Sequence, residues 1–164
     1  MAMQPGFCAA TEDDFEALLA LRILAMRPSL ERLGRFDPQR ARERLRAGFD
    51  PAVTRIIVVD GCQVGFVAVK PLPDAPAAGL LLDHLYLHPD WQGRQLGAWV
   101  MRQVIAEAER AGLPLHVGAL RGSDANRFYQ RQGFVQSSKS EWDIYYIRPA
   151  GSPEPVAAGP GRLS

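Results

Sequence analysis

The stretch LYLHPDWQGRQLGAWVM, Leu85–Met101, decides how this chain folds. It passes from an apolar run, through a His-Pro turn, into a glycine-punctuated segment with helical spacing. Upstream, LLLDHLYL (80–87) reads as a strand. Downstream, the apolar spacing carries a long helix to Ala111, with Gly112 as its left-handed stop. LPLHVGAL (113–120) then reads as the next strand. Strand, long helix and strand make a βαβ unit, and such units take ligands at the carboxyl ends of their strands. The helix mouth is Gln92–Ala98. There the first N–H groups lack internal partners, and the helix dipole adds partial positive charge. A glycine at such a place lets an anion approach without a Cβ in the way. Arg94 adds direct charge and Gln92 a neutral donor. The segment is neither a Gly-Lys-Ser/Thr phosphate loop nor a G-x-G-x-x-G dinucleotide fingerprint. Taken alone, it fits an anion cradle or a plain turn in which Gly97 lets helix and strand pack closely.

Working outward, GFCAA (6–10) is a short strand, and Thr11 with Asp14 resembles a capping box ahead of a helix. Phe15, Leu18, Leu19, Leu21, Arg22, Leu24, Ala25 and Met26 carry that helix, which Pro28 is expected to end or kink. A second helix has Asp37 as cap, Pro38 in the first turn and Gly48 near its end. Asp60-Gly61 turns a hairpin. After residue 120, a short helix with Ser123 as cap and Gly133 as stop precedes two last strands, FVQSS and WDIYYIRP. Residues 149–164, rich in Pro, Gly and Ala, read as a flexible tail. The order β-α-α-β-β-β-α-β-α-β-β defines one α/β domain over residues 1–148, with a mixed sheet.

Composition bounds the function. A net charge of +1 argues against a nucleic-acid binder working through a broad basic field. No apolar run approaches the roughly 20 residues that span a bilayer. Residues 1–7 lack the pattern of a signal peptide, so a cytoplasmic, membrane-free protein is expected. Cys8 and Cys62 have no metal-ligand spacing, and their strand-like surroundings suggest buried thiols.

Three segments in order resemble one family. LDHLYLHPDWQGRQLG is similar to the central strand and pyrophosphate loop of the GNAT N-acetyltransferase superfamily; LPLHVGAL is similar to its following strand. SDANRFYQRQGF is similar to its closing motif, with Phe128, Tyr129, Gly133 and Phe134 in register. The resemblance covers about residues 6–148. It implies a largely antiparallel sheet of about seven strands flanked by about four helices. Two positions depart from the pattern: Gln95 replaces the loop's middle glycine, and Ser123 a frequent asparagine, with Asn126 one turn further on.

The resemblance further implies direct acetyl transfer from acetyl-CoA, as cosubstrate, to a primary amine of a small molecule or peptide. With no Cys-His pairing or Ser-His-Asp arrangement in the sequence, an acyl-enzyme is not expected, nor is a metal. Gln92, Gly93, Arg94, Gln95, Leu96, Gly97 and Ala98 would hold the pyrophosphate, and the main chain of Leu85, Tyr86 and Leu87 the pantetheine arm. Ser123, Asn126 and Tyr129 would touch the cofactor. Tyr129 matches the family's frequent general acid; a phenol near pKa 10 stays protonated at neutral pH and can donate to a thiolate. Asp83 stands as a lone carboxylate among leucines, a costly arrangement that suggests a role as base, directly or through water. His84 has a convenient pKa for the same task, and water relays are a third route. The family's first two helices wall the acceptor, which makes Arg35 and Phe36, with Asp83 and His84, candidate acceptor contacts. Tyr145 and Tyr146 are further wall candidates, one of which must face away. Homodimers are frequent in the family. The competing function is a catalytically silent acyl-CoA-binding regulatory module on the same fold.

Overall fold

A computed structural model describes residues 4–153. Seven strands and four α-helices follow one another in the expected order. The strands are β1 (Pro5–Ala9), β2 (Thr54–Val59), β3 (Cys62–Pro71), β4 (Leu80–Leu87), β5 (Leu115–Leu120), β6 (Val135–Lys139) and β7 (Asp143–Arg148). The helices are α1 (Phe15–Arg32), α2 (Pro38–Gly48), α3 (Leu96–Ala111) and α4 (Ala125–Arg131). In the sheet the strands lie in the order β1-β2-β3-β4-β5-β7-β6. The register between β4 and β5 is parallel; those of β1 with β2, β2 with β3, β5 with β7 and β6 with β7 are antiparallel. The architecture is thus the mixed α/β sheet that the element order implied, and the largely antiparallel one that the family resemblance implied.

Two compact units make up the chain. Among the described residues, one comprises 4–68 with 84–92, the other 69–83 with 93–153. The first unit buries Phe15, Leu18, Leu19 and Leu21 of α1 with Leu45 of α2, Ile56 of β2 and Phe66 of β3. The Asp14 carboxylate accepts from the Thr11 N–H at 2.7 Å, closing the box before α1. Of the two outcomes expected for Pro28, an end or a kink, the structure excludes the end. The helix runs on to Arg32 and closes in a Schellman turn: Gly34 (φ 66°) donates to the Glu31 carbonyl, and Arg35 to the Leu30 carbonyl at 2.8 Å. Burial of Phe15, Leu18, Leu19 and Leu21, together with this turn, outweighs the one hydrogen bond that proline removes. In α2, Asp37 caps the N–H groups of Gln39 and Arg40. Arg42 grips Glu16 with two hydrogen bonds of 2.6 and 2.8 Å and holds that carboxyl below its usual range. Arg46 pairs with Glu12. Arg42 and Arg46 of α2 therefore serve as exposed clips to Glu16 and Glu12.

Asp60 and Gly61 both adopt positive φ (50° and 83°), as a two-residue hairpin turn requires. Cys8 and Cys62 are exposed, not buried: each lies near an end of its strand, beside an equally exposed Ala9 or Gln63.

The second unit buries one stripe of α3 (Leu96, Val100, Met101, Val104, Ile105, Ala108) and the inward residues Leu115, Val117 and Ala119 of β5. Gly112 (φ 68°) ends α3 as expected. Arg148 is 2% exposed and is met by the Glu109 carboxylate at 3.1 Å. Its guanidinium also donates to the carbonyls of Gln132, Ser152 and Pro153, while the Gly151 N–H donates to Glu109. Residues 149–153 are thus fastened at their base. The rest of the expected tail, from 154, lies outside the described residues.

Candidate functional site

In the second unit, two residues ahead of α3 adopt the left-handed conformation: Gly93 (φ 75°) and Gln95 (φ 61°, ψ 12°). Alternating backbone of this kind turns successive N–H groups toward one concavity. Gln95 is the N-cap residue of α3, yet its side chain makes no capping hydrogen bond, and the first turn holds no acidic residue. The positive end of a sixteen-residue helix is left without a side-chain acceptor of its own. An anion fits this mouth on both counts.

Gln95 carries a conformational penalty. A left-handed residue with a Cβ costs roughly 1–2 kcal/mol, and glycine escapes that cost while losing more freedom on folding. We expect Gln95→Gly to raise Tm by about 2 °C in a thermal melt, the net of these two terms. A lower Tm would mean that the glutamine side chain contributes contacts worth more than the strain.

In the first unit, β4 ends on a side-chain clasp: the Gln92 amide donates to the Leu87 carbonyl at 3.0 Å. The His88 N–H donates to the Val64 carbonyl at 2.8 Å, and the His88 ring accepts from the Asp90 N–H. Gln92 is therefore engaged with the strand end. Gly65 of β3 admits the Tyr86 carbonyl so closely that a Cβ there would lie 2.2 Å from its oxygen. His84 stands among aromatic rings, 5.9 Å from Phe66 and 5.8 Å from Tyr86, centre to centre.

Asp83 belongs to the second unit and is not a lone carboxylate: Lys70 reaches it at 3.3 Å, and both side chains are partly exposed. This ion pair supplies the partner that the leucine-rich sequence context hid. Within the same unit β4 pairs with β5 over Leu80–Leu82 against Leu115–Val117, while Gly118, Ala119 and Leu120 pair with Tyr145, Ile144 and Asp143 of β7.

Tyr129 on α4 is 6% exposed and sits in an aromatic nest. Its ring centre lies 5.5 Å from that of Phe128, 5.6 Å from Phe134 and 6.2 Å from Tyr146. Gly133 (φ 92°) turns the chain so that Phe134 can close the nest. Ser123 does not cap α4, whose N-cap is Asp124. Its hydroxyl instead donates to the Leu120 carbonyl at 2.7 Å. The Asn126 amide donates to the carbonyls of Leu120 and Ser123, both at 2.9 Å, and accepts from the Tyr146 hydroxyl at 2.8 Å. Burial pushes the Tyr146 phenol up, which keeps it a donor. The polar groups of Ser123 and Asn126 thus brace the β5–α4 turn from within. Of the two candidate wall tyrosines, Tyr146 is buried in this brace, whereas Tyr145 is 40% exposed over Gly118.

At the C-terminal end of α1, Phe36 carries the Arg27 guanidinium over its ring at 4.6 Å, and Arg27 also pairs with Glu31. Arg35 is half-buried just past the Schellman turn. Sequence reasoning counted Arg22 among the core-facing residues of α1 without assigning it a role; its place in the apolar stripe was the available signal.

Among the described residues no cluster of three or more His, Cys, Asp or Glu side chains stands ready for a metal. No helix there is long and apolar enough to cross a membrane.

The family model for the acetyltransferase (GNAT) domain matches residues 52–136, more than half of the chain. Comparison with curated protein sequences returns no match. Among solved structures, the PaiA N-acetyltransferase from Thermoplasma acidophilum in complex with coenzyme A superposes with a TM-score of 0.71 at 14% identity, over 90% of this chain and 99% of that one. An acetyltransferase from Thermus thermophilus gives 0.67 at 20% identity, over 89% and 97%. A GNAT-family acetyltransferase from Bacillus cereus gives 0.64 at 13% identity, over 90% and 98%. At these identities the superpositions establish the shared fold.

Proposed function

Because the chain belongs to the GNAT acetyltransferase family, we propose that it transfers the acetyl group of acetyl-CoA directly to a primary amine of a small molecule or peptide, without an acyl-enzyme. The observation that carries this reading is the uncapped mouth of α3 behind two left-handed residues, Gly93 and Gln95. The N–H groups of Gly93–Ala98 are assigned to the pyrophosphate, with Arg94 adding charge. Gln92 supports the loop through Leu87. The main chain of Leu85, Tyr86 and Leu87 is assigned to the pantetheine arm and to the thioester carbonyl, whose developing oxyanion it stabilises.

In the reaction, the amine lone pair attacks the thioester carbonyl carbon and the carbonyl π pair moves onto oxygen. Collapse of that intermediate breaks the C–S bond and expels the coenzyme thiolate. Tyr129 gives its phenolic proton to the thiolate and regains one from solvent. The surplus proton of the amine leaves to Asp83, whose partner Lys70 holds it in place, or to water. Ser123 and Asn126 act behind the cofactor, through the turn they brace.

The test is an acceptor screen with acetyl-CoA that reads thiol release and product mass together. One N-acetylated product per thiol released is expected. Coenzyme binding without thiol release across the panel would favour the silent acyl-CoA-binding module instead.

A further inference from the structure

Arg22 is a buried cation without an anion. It is 7% exposed on the apolar face of α1, in the same stripe as Leu18, Leu19 and Leu21. Its Nη1 reaches the Ala41 carbonyl only at 3.5 Å, and its Nε is enclosed with no hydrogen-bond partner. The guanidinium carbon lies 5.7 Å from the centre of the Tyr86 ring. Among the described residues no carboxylate pairs with it. The acidic side chains of this region are committed to other arginines: Glu16 to Arg42, Glu12 to Arg46 and Glu31 to Arg27.

A cation removed from water needs a counter-charge, and an arginine cannot supply one by losing its proton. The Tyr86 face compensates only in part, because a ring quadrupole is weaker than a full charge. We infer that Arg22 holds the carboxylate of the acceptor, so that the amine acetylated is a neutral α-amino acid or a close analogue. This inference rests on the acetyl-transfer reading above.

Three features favour a monocarboxylate. The planar fork of a guanidinium matches a carboxylate edge to edge. One cation balances one negative charge, whereas a phosphate dianion would leave a second charge buried. The surroundings are apolar and aromatic, with Phe66 packed 5.4 Å from Tyr86, and so suit a small organic acid better than a hydrated polyanion. Tyr86 also belongs to the strand segment assigned to the pantetheine arm, which puts an acid held by Arg22 beside that segment.

The experiment compares neutral L-α-amino acids with the same amino acids as carboxamides, on the full chain with acetyl-CoA. Wild type is expected to favour the acids by about 10- to 100-fold in kcat/KM, the range of one charge-assisted contact. Arg22→Met should erase that preference through KM for the acids and leave the amides unchanged. Arg22→Lys should restore part of it, since the charge returns without the fork. Equal loss for acids and amides would make Arg22 a packing residue and overturn the inference, as would a wild type that prefers amides. If Arg22→Met does not fold, thermal shifts of wild type with coenzyme A plus N-acetylglycine or N-acetylglycinamide decide instead: only the acid should stabilise, and equal shifts overturn the inference. Failure to bind acetyl-CoA at all would strike the acetyl-transfer reading. Transfer that ignores the carboxylate strikes this inference alone.

Discussion

Tyr129→Phe is expected to lower kcat about 100-fold while leaving the fold intact. The substitution removes one oxygen and keeps the ring, so the contacts with Phe128, Phe134 and Tyr146 persist. On the proposed mechanism, what it takes away is the proton that Tyr129 gives to the departing thiolate. An alkyl thiolate has a conjugate acid near pKa 8.5, so it is a tolerable leaving group unaided, and the loss should stay near the lower end of general-acid effects. Steady-state thiol release in wild type and variant, with melts alongside, checks both halves. An unchanged kcat would reduce Tyr129 to the aromatic packing that its burial already shows. A large fall in Tm would make any rate loss uninterpretable as acid catalysis.

Gly65→Ala should have the largest effect on stability. The added Cβ would lie 2.2 Å from the Tyr86 carbonyl oxygen and 3.2 Å from the Leu87 Cα, both backbone atoms that cannot turn aside. Overpacking of a fitted site costs 1–3 kcal/mol and more where backbone must move, so a loss of about 3 kcal/mol or greater is expected in denaturant unfolding. The substitution also probes function. Tyr86 is one of the three residues whose main chain we assign to the pantetheine arm. Any variant that folds should therefore show a raised KM for acetyl-CoA along with its lower stability. A stable variant with unaltered KM would separate Tyr86 from the cofactor.

The fold was legible where local signals agreed with tertiary ones. The apolar run of β4, the 3.6-residue stripe of α3 and the αL glycine at 112 each mark one element, and together they leave one arrangement of strand, helix and strand. The same holds for Asp37 and for Asp60-Gly61, whose roles depend on neighbours two or three residues away. Failures came where the deciding partner is remote. Asp83 looked isolated because Lys70 is thirteen positions earlier and meets it only once the strands assemble. Asn126 entered only through the family resemblance, and nothing local announces its partners: it donates to the Leu120 and Ser123 carbonyls and accepts from the Tyr146 hydroxyl. Pro28 left an end or a kink open because proline removes a hydrogen bond, and no local signal announces that Gly34 will close the helix later. Tyr145 and Tyr146 were interchangeable until the β5–β7 register assigned one to the core. Gln95 is the converse. Its αL backbone keeps the turn that a glycine would have made, at the cost of strain.

The central claim is that the mouth of α3 and the β4 backbone hold acetyl-CoA. Isothermal titration of the full chain with acetyl-CoA, beside ATP and NAD as phosphate-bearing controls, tests it most directly. Saturable one-to-one binding of acetyl-CoA in the micromolar range, near −8 kcal/mol or about 1 μM, is expected, with neither control competing. Absence of acetyl-CoA binding at millimolar concentration, or equal binding of all three ligands, would contradict it.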